Sequence, residues 1–292
     1  MKPAAFSYHA PRSLEEAIAI LGQVSPDDGR VIAGGQSLIP AMALRLALPK
    51  HLVDINHVAG FDKLGQNAAE LSISACVRHA AFHCPVVDGP VGTLLGAVVQ
   101  HIAHHPIRTR GTFCGSLANA DPSSEWCLVA ATLGAKIMAR SARGARVISA
   151  RDFFQGVMTT ALEPDELLVE ARLPLLARDA RWGFYELNRR QGDFAMAMSL
   201  VVYQLESNVI VSPLVGVGGV ESYPRRVPEA ERALAGQRPC AQVFQAASDS
   251  AAVAVNPMQG DAEISAFKRD LTRVAVRRAL EAAEKSVSVY AR

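Results

Sequence analysis

Two short segments of small and hydroxyl-bearing residues carry the most distinctive chemistry of this sequence. The first covers residues 33–38 and reads Ala-Gly-Gly-Gln-Ser-Leu. Paired glycines let the backbone approach a ligand without a Cβ atom in the way. The free N–H groups of such a turn, together with the start of a following helix, favour an anion. Ser37 can cap that helix and can also donate its hydroxyl group.

The second segment, residues 110–117, has the same character and reads Arg-Gly-Thr-Phe-Cys-Gly-Ser-Leu. Its small residues, hydroxyl donors and exposed amides can form the kind of N–H concavity that binds anions. Two such segments are able to grip one extended pyrophosphate from both sides. A single Gly-Gly-Gln-Ser stretch is most often a plain turn, so from this chemistry alone a turn and a ligand site both stay open.

Other nucleotide and catalytic motifs do not fit the sequence. Residues 216–219 approach the dinucleotide-binding pattern G-x-G-x-x-G, but they lack its last glycine and a proline-containing turn follows. The sequence has no phosphate-binding P-loop and no G-x-S-x-G nucleophile elbow. His101 and His105 are one helical turn apart, but no H-E-x-x-H pattern accompanies them. We therefore expect a helix end beside Pro106 and no metal site.

The cysteine spacing and the net charge argue against an iron–sulfur protein and against a nucleic-acid-binding protein. The 5 cysteines include no C-x-x-C pair and no short run of cluster ligands, so we expect reduced, mostly buried thiols and no iron–sulfur cluster. The 30 basic and 28 acidic residues leave a net charge of +2 without a basic stripe, which argues against a nucleic-acid partner. No apolar stretch approaches the roughly 18 residues of a spanning helix, and the first residues lack a signal-peptide core. These features predict a cytoplasmic protein with no membrane span.

The expected secondary structure places both segments at element boundaries. A capped helix is expected after Ser13, and residues 107–116 read as a loop. Apolar helical spacing predicts helices over residues 38–48, 91–102, 124–133 and 264–290. Apolar runs and alternation predict strands over residues 30–33, 51–55, 70–75, 136–139, 147–149, 167–173, 183–187, 195–203 and 208–216. The mostly polar residues 177–182 predict a domain boundary near residue 177.

Longer stretches around these segments form a family pattern. They are residues 33–40 with 44–47 and 51–55, residues 107–122, and residues 185–195, and the opening residues 6–17 fit as well. Together they resemble the FAD-binding medium subunit of molybdenum hydroxylases of the carbon monoxide dehydrogenase and xanthine dehydrogenase type. The resemblance spans nearly the whole chain, in order and at family-like spacing.

The resemblance implies an α+β fold. A two-subdomain FAD-binding domain of the vanillyl-alcohol oxidase (PCMH) type would cover residues 1–176, with subdomains of about 1–56 and 57–176. A C-terminal α+β domain like that of the carbon monoxide dehydrogenase flavoprotein would cover residues 177–292.

The resemblance also implies which positions bind FAD. The first segment would hold the pyrophosphate, the second would complete the grip, and Asp121 would lie near the ribityl and phosphate region. Asp193 and Phe194 would approach the flavin from the second domain. Gln36 is not an attachment point for a covalent flavin, so a dissociable FAD is expected. The implied cofactor-binding residues are Ile32, Ala33, Gly34, Gly35, Gln36, Ser37, Leu38, Ile102, Gly111, Thr112, Cys114, Gly115, Ser116, Ala120, Asp121, Asp193 and Phe194.

Three positions depart from the family pattern. Cys114 stands where glycine is frequent, so the backbone there must adopt a conformation open to other residues. Arg78 stands where a threonine-containing pair is frequent, and it either contacts the diphosphate or faces solvent. Glu186 stands where lysine is frequent.

The function implied by the resemblance is electron transfer. In the assemblies that this chain resembles, a large molybdopterin subunit oxidises the substrate, and [2Fe-2S] clusters on a small subunit pass electrons to FAD and on to a terminal acceptor. The resemblance implies a heterohexamer, a dimer of heterotrimers, and no catalytic acid or base on this chain. Two alternatives stay open: a stand-alone FAD-dependent oxidoreductase of the same fold, and a non-enzymatic nucleotide-binding module.

Overall fold

The computed structural model describes residues 2–258 and 260–286. The N-terminal elements are β1 (Ser7–His9), α1 (Leu14–Val24), β2 (Gly29–Ile32), α2 (Leu38–Ala43) and β3 (His51–Asp54). The three strands form a parallel sheet in the order β1–β3–β2. Helix α1 begins as expected, because Ser13 Oγ accepts a hydrogen bond from the Glu16 amide at 3.1 Å. The first small-residue segment, residues 33–38, directly follows the carboxyl end of β2.

A larger antiparallel sheet lies at the centre of the molecule. The strands of this region are β4 (Leu64–Gln66), β5 (Glu70–Ser74), β6 (Lys136–Ser141), β7 (Gly144–Ser149), β8 (Phe154–Gly156), β9 (Thr159–Thr160) and β10 (Leu167–Pro174). The sheet has the order β4–β5–β10–β6–β7, and β8 pairs with β9. The accompanying helices are α3 (Pro90–Val98), α4 (His105–Arg108), α5 (Phe113–Asn119), α6 (Glu125–Leu133) and α7 (Ala150–Phe153). Short 3-10 helices occupy Ser25–Asp27, Ile55–His57 and His79–His83.

Three aromatic side chains pack directly beneath the second small-residue segment. The ring centroid of Trp126 lies 5.0 Å from that of Phe113 and 5.1 Å from that of Phe82, and all three side chains are fully buried. Such large rings contribute much of the apolar area that a core buries. This cluster fixes the start of α5 against α6.

The C-terminal part is a four-stranded antiparallel sheet with helices on one face. Its elements are β11 (Arg181–Leu187), β12 (Ala197–Glu206), β13 (Val209–Gly218), β14 (Arg225–Arg226), α8 (Pro228–Leu234), α9 (Ala241–Ala254) and α10 (Ala262–Lys285). Side chains alternate along β12, so Met198 and Leu200 join the central core while Val201 and Tyr203 face the helices. The sheet is therefore held between α10 and the central core.

Each predicted strand is present, with ends shifted by a few residues. The predicted helices are also present, but two of them end early. Helix α2 stops at Ala43 because Arg45 adopts the left-handed conformation, with φ at 59°. Helix α3 stops at Val98, and i→i+3 turns continue to Ile102 before the left-handed Ala103.

Other expectations about the helices need correction. Residues 113–116 were expected in a loop, but they form the first turn of α5 because Thr112 caps it. The last predicted helix runs over Ala262–Lys285, and its predicted end at residues 287–290 lies outside the described residues. Helices α8 and α9 were not predicted, since alanine and serine give α9 only a weak apolar face.

Candidate functional site

The first segment forms a turn whose amides are free. Gly35 adopts a left-handed φ of 70°, and the Gln36 side chain donates back to the Gly34 carbonyl at 3.0 Å. Within residues 2–258 and 260–286, no acceptor is bonded to the amides of residues 34–37. Ser37 occupies the N-cap position of α2, but its hydroxyl makes no capping hydrogen bond, contrary to expectation. That hydroxyl and the four amides are available to a ligand.

The second segment is a capped helix start. Thr112 Oγ1 accepts a hydrogen bond from the Gly115 amide at 3.0 Å. The Cys114 side chain points into the core, where its Sγ donates to the Ile73 carbonyl at 3.4 Å. Cys114 has no positive φ, so a side chain is accommodated where the family pattern often has glycine. The amides of Thr112 and Cys114 and the Ser116 hydroxyl donate no hydrogen bond to any described residue.

The two segments touch through their backbones. A Cβ atom on Gly34 would lie 2.4 Å from the Arg110 carbonyl oxygen and 2.7 Å from the Gly111 Cα. Cβ atoms essentially never approach other atoms within 3.0 Å, so this contact requires glycine. Residues 33–37 and 110–116 therefore form one surface, although they are about 75 residues apart in the chain.

Arg78 holds this surface together. Its Nη1 donates to the Arg110 carbonyl at 2.5 Å, and its Nη2 donates to Asn56 Oδ1 at 2.6 Å. The Asn56 side chain in turn donates to the Ala33 carbonyl at 2.7 Å. Arg78 is therefore not a free side chain facing solvent, since its guanidinium bridges both segments, and its contact with the diphosphate stays a prediction. The bridging role of Asn56 was missed, because only an Asx turn after β3 marks it in the sequence.

His79 is buried and packs against Gly111 in the second segment of this surface. Trp126 Nε1 donates to His79 Nδ1 at 2.9 Å, so the proton of the neutral ring lies on Nε2. Nε2 faces Gly111, where a Cβ atom would come within 2.4 Å of it. Burial, and next the charges of Arg78 and Arg108, lower the pKa of His79 to about 3. The buried imidazole is therefore a neutral structural support.

Four further implied residues, Ala120, Asp121, Asp193 and Phe194, lie on two connected loops. Asp121 follows the left-handed Ala120 that ends α5, and its Oδ1 accepts from the Ser123 amide at 2.9 Å. Ser123 Oγ donates to the Ala195 carbonyl at 2.9 Å, which ties this loop to the turn between β11 and β12. That turn carries Asp193 and Phe194, and both are exposed, Phe194 at 75%. No hydrogen bond between described residues joins Asp193 or Phe194 to the two glycine segments.

A polar cavity of about 300 Å³ lies between this turn and the end of α3. Gly192 packs against His104, where a Cβ atom would come within 2.5 Å of the ring. Arg108 Nη1 donates to the Ile102 carbonyl at 2.8 Å and fixes the floor of the cavity. The lining residues are Gln100, Ala103, His104, His105, Arg108 and Gln191.

Neither a metal-binding cluster nor a membrane-spanning helix is found in residues 2–258 and 260–286. No group of three or more His, Cys, Asp or Glu side chains there is arranged to hold a metal ion. No helix of that part of the chain is long and apolar enough to cross a bilayer.

Two family models together match almost the whole chain. Residues 4–176 match the FAD binding domain in molybdopterin dehydrogenase, and residues 182–283 match the CO dehydrogenase flavoprotein C-terminal domain. The chain belongs to the FAD-binding medium-subunit family of the molybdenum hydroxylases. Membership confirms the resemblance and identifies the chain as a subunit of an oxidoreductase.

Individual members of the medium-subunit family are similar over their full length. The nicotine 6-hydroxylase medium subunit of Paenarthrobacter nicotinovorans is 34% identical, covering 96% of this chain and 98% of that protein. The carbon monoxide dehydrogenase medium chain of Hydrogenophaga pseudoflava is 32% identical, covering 97% and 98%. These relatives extend the family assignment over both domains.

Solved structures of the family confirm the fold. Carbon monoxide dehydrogenase from Hydrogenophaga pseudoflava superposes with a TM-score of 0.92 at 33% identity, covering 98% of this chain and 99% of that chain. Quinoline 2-oxidoreductase from Pseudomonas putida 86 superposes with a TM-score of 0.90 at 34% identity, covering 98% and 100%. The expected α+β fold with an FAD-binding domain and a C-terminal domain is therefore confirmed, whereas the contacts of individual residues with the cofactor stay predictions.

Proposed function

We propose that this chain holds one dissociable FAD and passes electrons from [2Fe-2S] clusters on a small subunit to a terminal acceptor. A large subunit of the same complex would carry the molybdenum cofactor and oxidise the substrate. The observation that carries the proposal is the joined surface of residues 33–37 and 110–116, with its unbonded amides. Bound FAD supplies the redox chemistry, and the protein supplies its placement and electrostatic environment.

The donor set of this surface fits a pyrophosphate. Six amides, those of residues 34–37, Thr112 and Cys114, and the hydroxyls of Ser37 and Ser116 have no acceptor among the described residues. Amides at a turn and at a helix start are the groups that bind phosphate oxygens in many proteins. The Arg78 guanidinium donates to the Arg110 carbonyl and to Asn56. Arg78 therefore acts by holding the two segments, and with them the amide donors, in place.

The other proposed cofactor contacts follow the two loops beside the cavity. Asp121 would face the ribityl region, and Asp193 with Phe194 would approach the flavin ring from the second domain. The hydrogen bond from Ser123 to the Ala195 carbonyl, which ties the loop of residues 120–124 to the turn of residues 188–196, supports this arrangement. Gln36 offers no nucleophile for a covalent flavin, which supports a dissociable cofactor.

An apolar patch beside α2 supports docking of a companion subunit. It consists of four exposed apolar side chains, Ile39, Leu44, Leu46 and Leu48. Patches of this kind mark protein–protein contacts. We propose that a companion subunit covers this patch in a dimer of heterotrimers. The five free cysteines fit a reducing compartment, which supports a cytoplasmic location.

The domain organisation is proposed from the same features. The gap between the two family matches, residues 177–181, supports a boundary near residue 177. The separate parallel and antiparallel sheets support subdomains of about 1–56 and 57–176.

Flavin binding is tested by titrating FAD into the purified full-length chain and following quenching of flavin fluorescence. We expect one FAD per chain, released on dialysis against denaturant. A chain that fails to bind FAD both alone and together with its companion subunits would overturn the proposal. Co-purified subunits should contain molybdenum and iron, and substrate turnover by the isolated flavin-loaded chain would favour the stand-alone oxidoreductase instead.

A further inference from the structure

Glu186 is a buried carboxyl group with one oxygen left unbonded. Its side chain is 0% exposed, and its Oε1 accepts a hydrogen bond from Asn188 Nδ2 at 3.0 Å. Its Oε2 is shielded from solvent and has no hydrogen-bond partner in the part of the chain that the structure describes. An ionised carboxylate oxygen in such a position is strongly unfavourable, and a proton on it removes the penalty.

No positively charged side chain of the described residues bonds to Glu186. His101 Nδ1 lies 3.8 Å from Oε2, which is too far for a hydrogen bond. Burial lowers the pKa of His101, so its ring is neutral at pH 7. The residue opposite Glu186 on β12 is the apolar Met198. Among the described residues, the charge of Glu186 also acts on Glu125, at the start of α6.

Glu125 is partly buried. Burial, and next the charge of Glu186, raise the pKa of Glu125 to about 8, and Asp121 acts in the same direction. Burial raises the pKa of Glu186 to about 7. A negative charge on Glu186 therefore opposes ionisation of Glu125.

We propose that Glu186 is a buried proton-binding site, in which the unbonded Oε2 carries a proton at neutral pH. Glu186 lies close to the candidate cofactor region, because His101, whose Nδ1 is 3.8 Å from Oε2, precedes Ile102 in the chain. Its consequence for the cofactor rests on the proposed function. A proton held there removes a negative charge that would otherwise repel an anionic ligand nearby.

The test uses the full-length chain without FAD, so it is independent of whether FAD binds. Unfolding by urea is measured between about pH 5 and about pH 9 for the parent and for Glu186→Gln, an uncharged isostere. The folded state of the parent holds protons that the unfolded state releases, so its stability falls as pH rises from the unfolded value of 4.5 through about 7. Over this range the folding equilibrium constant of the parent should fall on the order of 100-fold more than that of Glu186→Gln.

Glu206→Gln is the matched control, because Glu206 is an exposed glutamate at the end of β12. The folding equilibrium constant of Glu206→Gln should equal that of the parent at every pH. Parallel profiles for the parent and Glu186→Gln would overturn the proposal. If Glu186→Gln does not fold, infrared spectroscopy of the parent decides: a protonated-carboxyl band at neutral pH that disappears at high pH supports the site, and its absence refutes it.

Discussion

Gly34→Ala is expected to weaken FAD binding far more than it weakens folding. The new Cβ atom would lie 2.4 Å from the Arg110 carbonyl oxygen, about 1 Å closer than the 3.4 Å at which ordinary contacts begin. Both atoms nearest to it belong to the backbone of residues 110 and 111. The clash is therefore relieved by separating the two segments, not by rotating a side chain.

The size of the effect follows from where the strain is relieved. Inserting a methyl group into a tightly packed site costs about 1–3 kcal/mol. The chain without FAD relaxes by opening the contact between Gly34 and Arg110, so most of this cost appears only when a ligand must be gripped from both sides. At about 1.4 kcal/mol per tenfold change, the Kd for FAD should rise roughly 5- to 150-fold.

The assay compares Gly34→Ala with Gly22→Ala by fluorescence titration of FAD and by urea unfolding without FAD. Gly22 lies on the exposed side of α1 with nothing within 4 Å of a built Cβ atom. Its substitution should leave the Kd unchanged and stabilise the helix by about 0.5–1 kcal/mol. A Kd for Gly34→Ala within about twofold of the parent would refute the reasoning that the close approach of the two segments forms the site.

Three further predictions concern the support of this surface. Arg78→Lys loses the two-armed bridge and should weaken FAD binding about tenfold, as measured by calorimetry; an unchanged Kd would show that the bridge is dispensable. A thiol reagent should titrate Cys84 and Cys240 in the folded chain and the other three cysteines only on unfolding, and early reaction of a third thiol would contradict their burial. His79 has a pKa of 6.5 in the unfolded state and of about 3 in the folded state, so between these values only the unfolded state binds the proton. Unfolding free energy should therefore fall by up to about 4 kcal/mol over that range, and His79→Gln should lack this dependence; an identical slope in both proteins would contradict the prediction.

The local chemistry of the site was accessible from the sequence. Gly34 and Gly35 after a short apolar strand predict a turn with free amides, and the turn lies at the end of β2 as expected. The capping of α1 by Ser13 was equally local. These features depend on neighbours within four residues, so a sequence pattern contains them.

Hydrogen bonds between residues far apart in the chain could not be predicted from the sequence in this way. The bond from Arg78 to the Arg110 carbonyl spans 32 residues, and the bond from Arg78 to Asn56 spans 22. Only the folded sheet brings Arg78, Asn56 and the Arg110 carbonyl together. The hydrophobic periodicity of the sequence does not indicate which loops will be in contact. The same limit applies to Cys114, because the direction of its side chain depends on where α5 begins.

The C-terminal sheet supports the proposal that both domains contribute to one site. Strand β12 is buried on both faces, so the turn before it cannot shift without disturbing the central core. The bond from Ser123 to the Ala195 carbonyl fixes one end of that turn, and the contact of Gly192 with His104 fixes the other. Phe194 nevertheless projects from this braced turn with 75% of its surface exposed. A large apolar side chain held in water by a rigid support loses free energy that burial would recover. The same rigidity keeps Phe194 in place for whatever covers it, which supports the proposal that Phe194 approaches the flavin ring.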